Sequence, residues 1–288
     1  MATSGASHPA IVIRSIDLLS ERRKVEELQR EVWGPDDVVP VTHLVAAKEV
    51  GGHVVGAFDA AGQLVGFVYG FVGREGGRVV IHSHMLAVKP SYRDRDLGYQ
   101  LKLAQREIAL SHGFTRITWT FDPLQGRNAH LNFGKLGVVA ADYKINFYGE
   151  ESPSPLHRHI GTDRLWVSWL LKSSRVHARL EKRSKPEDSL FKLEQAVRLV
   201  RSGKDGSPHA TRMADTREEY VAVEIPARIG LLQQHDPEAA IMWREATRRA
   251  FTYALSAGYL VEEFYRQGGS DQPVGVYLLS YGKKLEDL

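Results

Sequence analysis

HSHMLAVKPSYRDRDLGYQLKLAQRE, residues 82–107, is the stretch on which the reading of the fold turns. An apolar strand runs into Pro90, and a loop alternating Arg and Asp follows. Leu97, Leu101, Ala104 and Ile108 then recur at helical spacing, with Gly98 at the helix entrance. The start of a helix carries unsatisfied N–H groups and a partial positive charge. A glycine there lets the backbone come close to a phosphate. Arg93, Arg95 and Lys89 add formal charge. Strand, loop and helix together read as a seat for a pyrophosphate. The plain alternative is an ordinary solvated loop, in which Asp94 and Asp96 pair with Arg93 and Arg95.

On the N-terminal side, IVIRSID (residues 11–17) alternates as a strand does. LSERRKVEELQREVWG follows as a helix, with Ser20 as its expected N-cap and Gly34 as its stop. Residues 41–50 read as a second helix. GHVVGAFD and QLVGFVYGFVG, joined by AAG, read as a hairpin, and RVVIHSHMLAV as a long strand. On the C-terminal side, the helix from Leu97 stops at Gly113 and RITWTFD alternates again, with Ile117, Trp119 and Phe121 on one side. GRNAHLNFGKLG reads as a helix closing at Gly137, and DYKINFYG and DRLWVSWLL read as strands. Hairpins mixed with one strand–helix–strand crossover predict an α/β chain with a mixed sheet.

A second part is expected from about Ser173, so the domains are read as 1–172 and a smaller α/β region, 173–288. In it, 175–200 reads as helix, 201–216 as a loop or linker, YVAVEIP as a strand and EAAIMWREATRRAFTYALSAG as a long helix. YLVEEFY and VGVYLLS follow as strands. The helix is apolar at Ala239, Met242, Trp243, Ala246 and Ala250, a face expected to lie on the first domain's sheet. The order strand-to-Pro, helix-to-Gly, strand occurs in both parts. It fits a degenerate internal repeat or simply any strand–helix–strand unit.

Composition narrows the function. The chain has 288 residues, 43% hydrophobic and 25% charged, as ordinary globular proteins do. Cysteine is absent, which excludes disulfides, a thiol nucleophile and thiolate metal sites. A net charge of +3 suits a polyanionic small molecule as well as nucleic acid. Without a long basic run or basic–aromatic interleaving, no nucleic-acid partner is expected. Nor is a membrane partner, since no apolar run approaches ~18 residues. The opening MATSGASHPA lacks the pattern of a signal peptide, so a cytoplasmic location is the default expectation.

RDRDLGYQL resembles the acyl-CoA signature of the GNAT superfamily of N-acyltransferases, Arg/Gln-x-x-Gly-x-Gly/Ala after a strand ending in a V-x-P-like step. Arg93 leads it and Gly98 is its final glycine, while Asp96 stands where the first glycine usually lies. NAHLNFGKLG resembles the superfamily's later helix, but Phe133 occupies the slot of the usual general-acid tyrosine. WTFDPLQGRNAHLN and IPARIGLLQQHDPEAAIMWREATRRAF are similar to a two-part branch of mostly uncharacterised members, some implied to be amino-acid N-succinyltransferases. The resemblance implies an acetyl-CoA or succinyl-CoA donor and a primary amine acceptor on a small molecule, such as an amino acid. It implies cofactor contacts at Leu86, Ala87, Val88, Arg93, Arg95, Leu97, Gly98, Tyr99, Asn128 and Phe133, with an oxyanion donor among the backbone N–H groups of Leu86 to Val88. A homodimer is left open.

Acyl transfer to an amine also needs a base. His82 and His84 sit two apart on the strand before the loop, hence on one face, and histidine titrates near neutrality. Each has a structural alternative as a hydrogen-bonded core residue. A His-x-His pair also suggests zinc, but no third ligand is evident and no metal is expected. Asp122, ending a strand, is read either as a partner of the amine or a histidine, or as the cap of the turn at Pro123. Asn128 is equally a helix cap. Tyr143 and Tyr148 are candidates to replace the missing acid, and Arg127 or Lys144 to meet a distal carboxylate. The rival function is a non-catalytic acyl-CoA-binding or sensory protein, favoured by Phe133 and Asp96.

Overall fold

The computed structural model describes residues 10–150, 160–181, 186–211, 218–267 and 273–288. It divides into two units, 1–117 and 118–288, inside the strand Arg116–Phe121.

The first unit holds β1 (Val12–Ser15), α1 (Leu19–Trp33), α2 (Val41–Glu49), β2 (His53–Phe58), β3 (Leu64–Glu75), β4 (Arg78–Val88) and α3 (Leu97–Ser111). Each of its strands pairs antiparallel with the next. The expected hairpin is closed by Asp59, whose Oδ1 accepts from the N–H groups of Ala61 and Gln63 at 3.0 and 2.9 Å. α1 ends as expected at Gly34, left-handed at φ +94°. Its N-cap is Leu18, not Ser20, which lies inside the first turn.

Helices cover both faces of this sheet. α1 and α2 bury Val25, Leu28 and Leu44 against Phe67, Tyr69 and Ala87. α3 buries Leu97 and Leu101 against Val55, Val65 and Val68 on the other side. The apolar spacing of RDLGYQLKLAQREI thus becomes packing, with about 1.5–3 kcal/mol for each fully buried large aliphatic side chain. The loop ahead of α3 is fixed because the helix under it is fixed.

The second unit takes in β5 (Arg116–Phe121) from Thr118 onward, then α4 (Gly126–Ala129), β6 (Val139–Lys144), β7 (Arg164–Leu170), α5 (Ser174–Leu180) and α6 (Pro186–Gln195). β8 (Val197–Ser202), β9 (Pro208–Ala210), β10 (Tyr220–Pro226), α7 (Ile229–His235), α8 (Pro237–Ser256), β11 (Tyr259–Gln267) and β12 (Val274–Tyr281) follow. Its strands lie in the order β5-β7-β6-β11-β12-β10-β8-β9. β8 and β10 run parallel, while the β6–β7, β11–β12, β10–β12 and β8–β9 ladders are antiparallel, so the sheet is mixed. The mixed α/β class predicted from the sequence is the observed one.

Several expectations are corrected here. The helix expected over 175–200 is two helices and a strand. Pro186 starts α6, and the Val- and Leu-bearing run from Val197 pairs with β10 instead of continuing the helix. The expected loop over 201–216 contains the end of β8 and all of β9, and 212–216 lies outside the described residues. β6 is shifted towards the N-terminus of DYKINFYG and stops at Lys144, because Asn146 turns left-handed at φ +45° and donates its N–H to Asp163 at 2.9 Å. The helix expected to close at Gly137 starts as α4 and widens to a π-helical turn over His130–Leu136. α8 packs on β6 and β8 to β11 of its own unit, with Ala239, Trp243 and Ala250 buried and Met242 exposed.

Candidate functional site

β4 makes its last bond to β3 beyond its own end, where the Lys89 N–H donates to the Val65 carbonyl at 2.9 Å. Pro90–Tyr92 then form one 3₁₀ turn, tied down by the Tyr92 hydroxyl donating to Asp59 Oδ2 at 2.8 Å. Arg93 donates from Nε to the Val88 carbonyl at 3.2 Å, and the Arg95 guanidinium lies 4.9 Å from the Tyr92 ring centroid. Asp94 and Asp96 are left-handed, at φ +67° and +54°. That conformation favours glycine and is tolerated by aspartate. Asp96 therefore takes the backbone shape of the missing glycine without its bareness. No side chain caps α3, and its first turn carries no acid. The free N–H groups of a long helix thus open beside two arginines. Arg93, Arg95, Leu97, Gly98 and Tyr99 are gathered at this mouth.

Leu86, Ala87 and Val88 lie at the adjoining strand end. In an antiparallel ladder, N–H groups alternate in direction. Since Lys89 points to β3, the N–H groups of Leu86 and Val88 point away from it. Those two amides have the direction an oxyanion donor or an added pantetheine strand needs.

The histidines owe their orientation to a bulge. Tyr69 pairs with Met85 and Gly70 with Ser83, so β4 spends one extra residue, His84. Below the bulge, Met85 and Ala87 face α1 and α2 while Leu86 and Val88 face α3. The extra residue switches this parity. His82 and His84 turn to the α1/α2 side, where both contact Phe71, at 5.4 and 5.8 Å between ring centroids, and lie 6.5 Å from each other. Ser83 turns to the α3 side and accepts from Lys102 Nζ at 2.7 Å. Lys102 also donates to Gln105 Oε1 at 3.2 Å. Gly70 makes the bulge feasible, because a Cβ there would lie 2.9 Å from Gln105 Nε2 and 3.2 Å from the His82 carbonyl oxygen.

Burial pushes the His82 pKa down to about 4, and repulsion from His84 and Lys102 adds to it. His84 keeps an exposed edge but is lowered in the same sense, by desolvation first and by His43 second. Lys102 is fully enclosed, and burial holds its amine well below the ordinary lysine value. Both imidazoles are therefore neutral, proton-accepting groups at pH 7. Among the described residues, no group of three His, Asp or Glu side chains could hold a metal ion. Nor is any described helix long and apolar enough to cross a membrane.

The remaining candidates lie in the second unit. Asp122 is buried, bonds Arg244 Nη2 at 2.7 Å and accepts from the Leu124 N–H at 3.0 Å, so it caps the turn at Pro123. Phe133 is fully buried, with Phe121 and Tyr277 rings at 6.3 and 5.7 Å. Asn128 and Arg127 are exposed on α4. Lys144 is paired with Asp142 at 2.6 Å. The Tyr143 hydroxyl donates to Asp163 at 2.7 Å, and burial raises its pKa well above the ordinary value, while Tyr148 is exposed.

Sequence reading missed Tyr69, Phe71, Ser83 and Lys102 as neighbours of the histidines. Gly70 was the available signal, since a lone glycine inside a strand marks a bulge or a close approach.

Among solved structures, the chain is similar to an acetyltransferase of the GNAT family from Streptococcus pneumoniae, at 16% identity and TM-score 0.45, over 55% of this chain and 98% of that one. It is similar to the ribosomal-protein-S18-alanine N-acetyltransferase of Escherichia coli at 12% identity and TM-score 0.46, over 57% and 96%. A phosphinothricin acetyltransferase from Sinorhizobium meliloti, solved with acetyl-CoA, is similar at 16% and TM-score 0.46, over 55% and 86%. No curated protein matches the chain. The stretch that holds β4, the arginine loop and α3 is part of a longer match, in which residues 19–137 fit the model of the acetyltransferase (GNAT) family.

Proposed function

We propose that the chain is an N-acyltransferase that moves an acetyl or succinyl group from acyl-CoA to a primary amine of a small molecule, with amino acids among the candidates. The observation that carries this is the uncapped N-terminus of α3 behind a left-handed loop flanked by Arg93 and Arg95, within the residues that match the family. The pyrophosphate lies on the N–H groups of Leu97, Gly98 and Tyr99, and the arginines add charge-assisted contacts. The amine attacks the thioester carbonyl, and the oxyanion is met by the amides of Leu86 or Val88. His82 takes the ammonium proton, with His84 beside it. The C–S bond then breaks, and the thiolate of CoA is protonated by the His82 imidazolium or by water, since Phe133 has no proton to give. Asp122 enters as an anchor of its strand end. Residues 1–172 act as the transferase part, and 173–288 complete the chain without a second CoA seat.

Phe133 favours a second reading, a binding or sensory protein that holds acyl-CoA without turnover. Thiol release from acetyl-CoA and succinyl-CoA over a panel of amines separates the two. Release above the hydrolytic background, reduced ~10²-fold in His82→Ala with unchanged CoA affinity, is expected of the transferase. Tight CoA binding with no release for any amine would leave the sensory reading.

A further inference from the structure

We propose that the acceptor is an arylalkylamine, seated by its aromatic ring on the surface formed by His43, Tyr69, Phe71, His82 and His84. This rests on the acyltransferase reading above. The five rings are continuous. His43 meets Tyr69 at 6.1 Å, Tyr69 meets His84 at 6.2 Å, and Phe71 links His84 to His82. α1 and α2 bury Phe67 and Tyr69, and their cover thins past Tyr69. Phe71 and His82 are half-buried there, and His43 and His84 are exposed. An aromatic stripe at strand spacing that passes from core to solvent beside a candidate base is suited to bind rather than to pack.

The chemistry of the surface selects the occupant. Its side chains include no carboxylate and no fixed positive charge, so they offer an amino-acid carboxylate no counter-ion. They offer π-faces and ring edges, which favour a flat ring in offset or edge contact. The Tyr69 hydroxyl is enclosed without a hydrogen-bond partner among the described residues, and a polar group of a ligand ring would relieve it. His82 at one end of the stripe marks where the amine must arrive to lose its proton.

The test uses the full-length protein with phenethylamine, butylamine and phenylalanine. Calorimetry should show phenethylamine binding about tenfold tighter than butylamine or phenylalanine. Phe71→Ala should erase most of that preference, while Phe71→Leu, which keeps the bulk, retains the fold and also loses preference. In turnover with acetyl-CoA, the same preference should appear in kcat/KM, with the KM for acetyl-CoA unchanged in both variants. Equal binding of phenethylamine and butylamine, or a preference that survives both substitutions, would overturn the ring seat whatever the turnover. Ring-dependent binding without thiol release from any amine would remove the transferase reading and leave the ring seat standing.

Discussion

At the scale of single residues, three side chains sit in protonation or backbone states that can be tested directly. His53 is 7% exposed, neither ring nitrogen has a hydrogen-bond partner among the described residues, and burial pushes its pKa down from 6.5 to about 4. The unfolded chain binds that proton more readily, so the stability His53 permits is complete above pH 6.5 and is lost as pH falls towards 4. The loss is on the order of 3 kcal/mol. His53→Phe should raise stability at pH 5 more than at pH 8, read by urea denaturation at both; an equal effect at the two values would mean that His53 is not buried neutral. His82, also held at about 4, should place the acid limb of kcat/KM near pH 4 instead of 6.5. A limb at 6.5 that disappears in His82→Ala would keep the base and refute its desolvation. Asp96 carries a left-handed backbone and a carboxylate at a helix start. Asp96→Gly should tighten CoA binding about two- to fivefold at low salt, by removing a charge of the wrong sign for an incoming phosphate. Weaker binding would assign Asp96 a contact with the ligand.

Among elements, the bulge in β4 decides which face the candidate base uses. Gly70→Ala should cost about 1–3 kcal/mol, because the new Cβ meets Ile81 Cγ2 at 3.0 Å and the His82 carbonyl oxygen at 3.2 Å. It should also lower kcat more than it raises the KM for acyl-CoA, since β4 shifts while α3 does not. A change in KM alone would show that the bulge serves the cofactor. In the second unit, Arg244→Ala should cost about 3–5 kcal/mol, leaving Asp122 buried without its partner. Thermal denaturation within 1 °C of the parent would refute a structural ion pair. These elements also mark how far the sequence could be read. The charge, the glycine and the 3.6 spacing of residues 93–108 are local, and they gave the loop and α3 directly. The pairing of His82 with His84 on one face was legible for the same reason. Which face they share depends on one extra residue in the ladder with β3, a non-local fact signalled only by Gly70. Asp122 was ambiguous because a turn cap and a catalytic carboxylate look alike until Arg244, far along the chain, is placed beside it. The segment 175–200 misled because β8 is a strand through its parallel partner β10, and strand partners are not written in local propensity.

For the whole molecule, a modest net charge of +3 leaves electrostatics to local arrangement, and only one arrangement suits a pyrophosphate. After β10 the chain passes through α7, and the N-terminus of α8 is already capped by the Asp236 side chain, which accepts from the Ala239 N–H at 2.9 Å. An anion there would meet a carboxylate. α3 has no such cap and has two arginines. Calorimetric titration of the full chain with CoA is therefore the most direct test. The expected result is one CoA per chain, with binding weakened at least tenfold in Arg93→Ala, the loss of a charge-assisted contact worth about 1.5–3 kcal/mol, and weakened comparably in Gly98→Val, where the added side chain blocks close backbone approach. Two equivalent CoA sites, or an affinity unchanged in both variants, would contradict the assignment of the phosphate seat to α3.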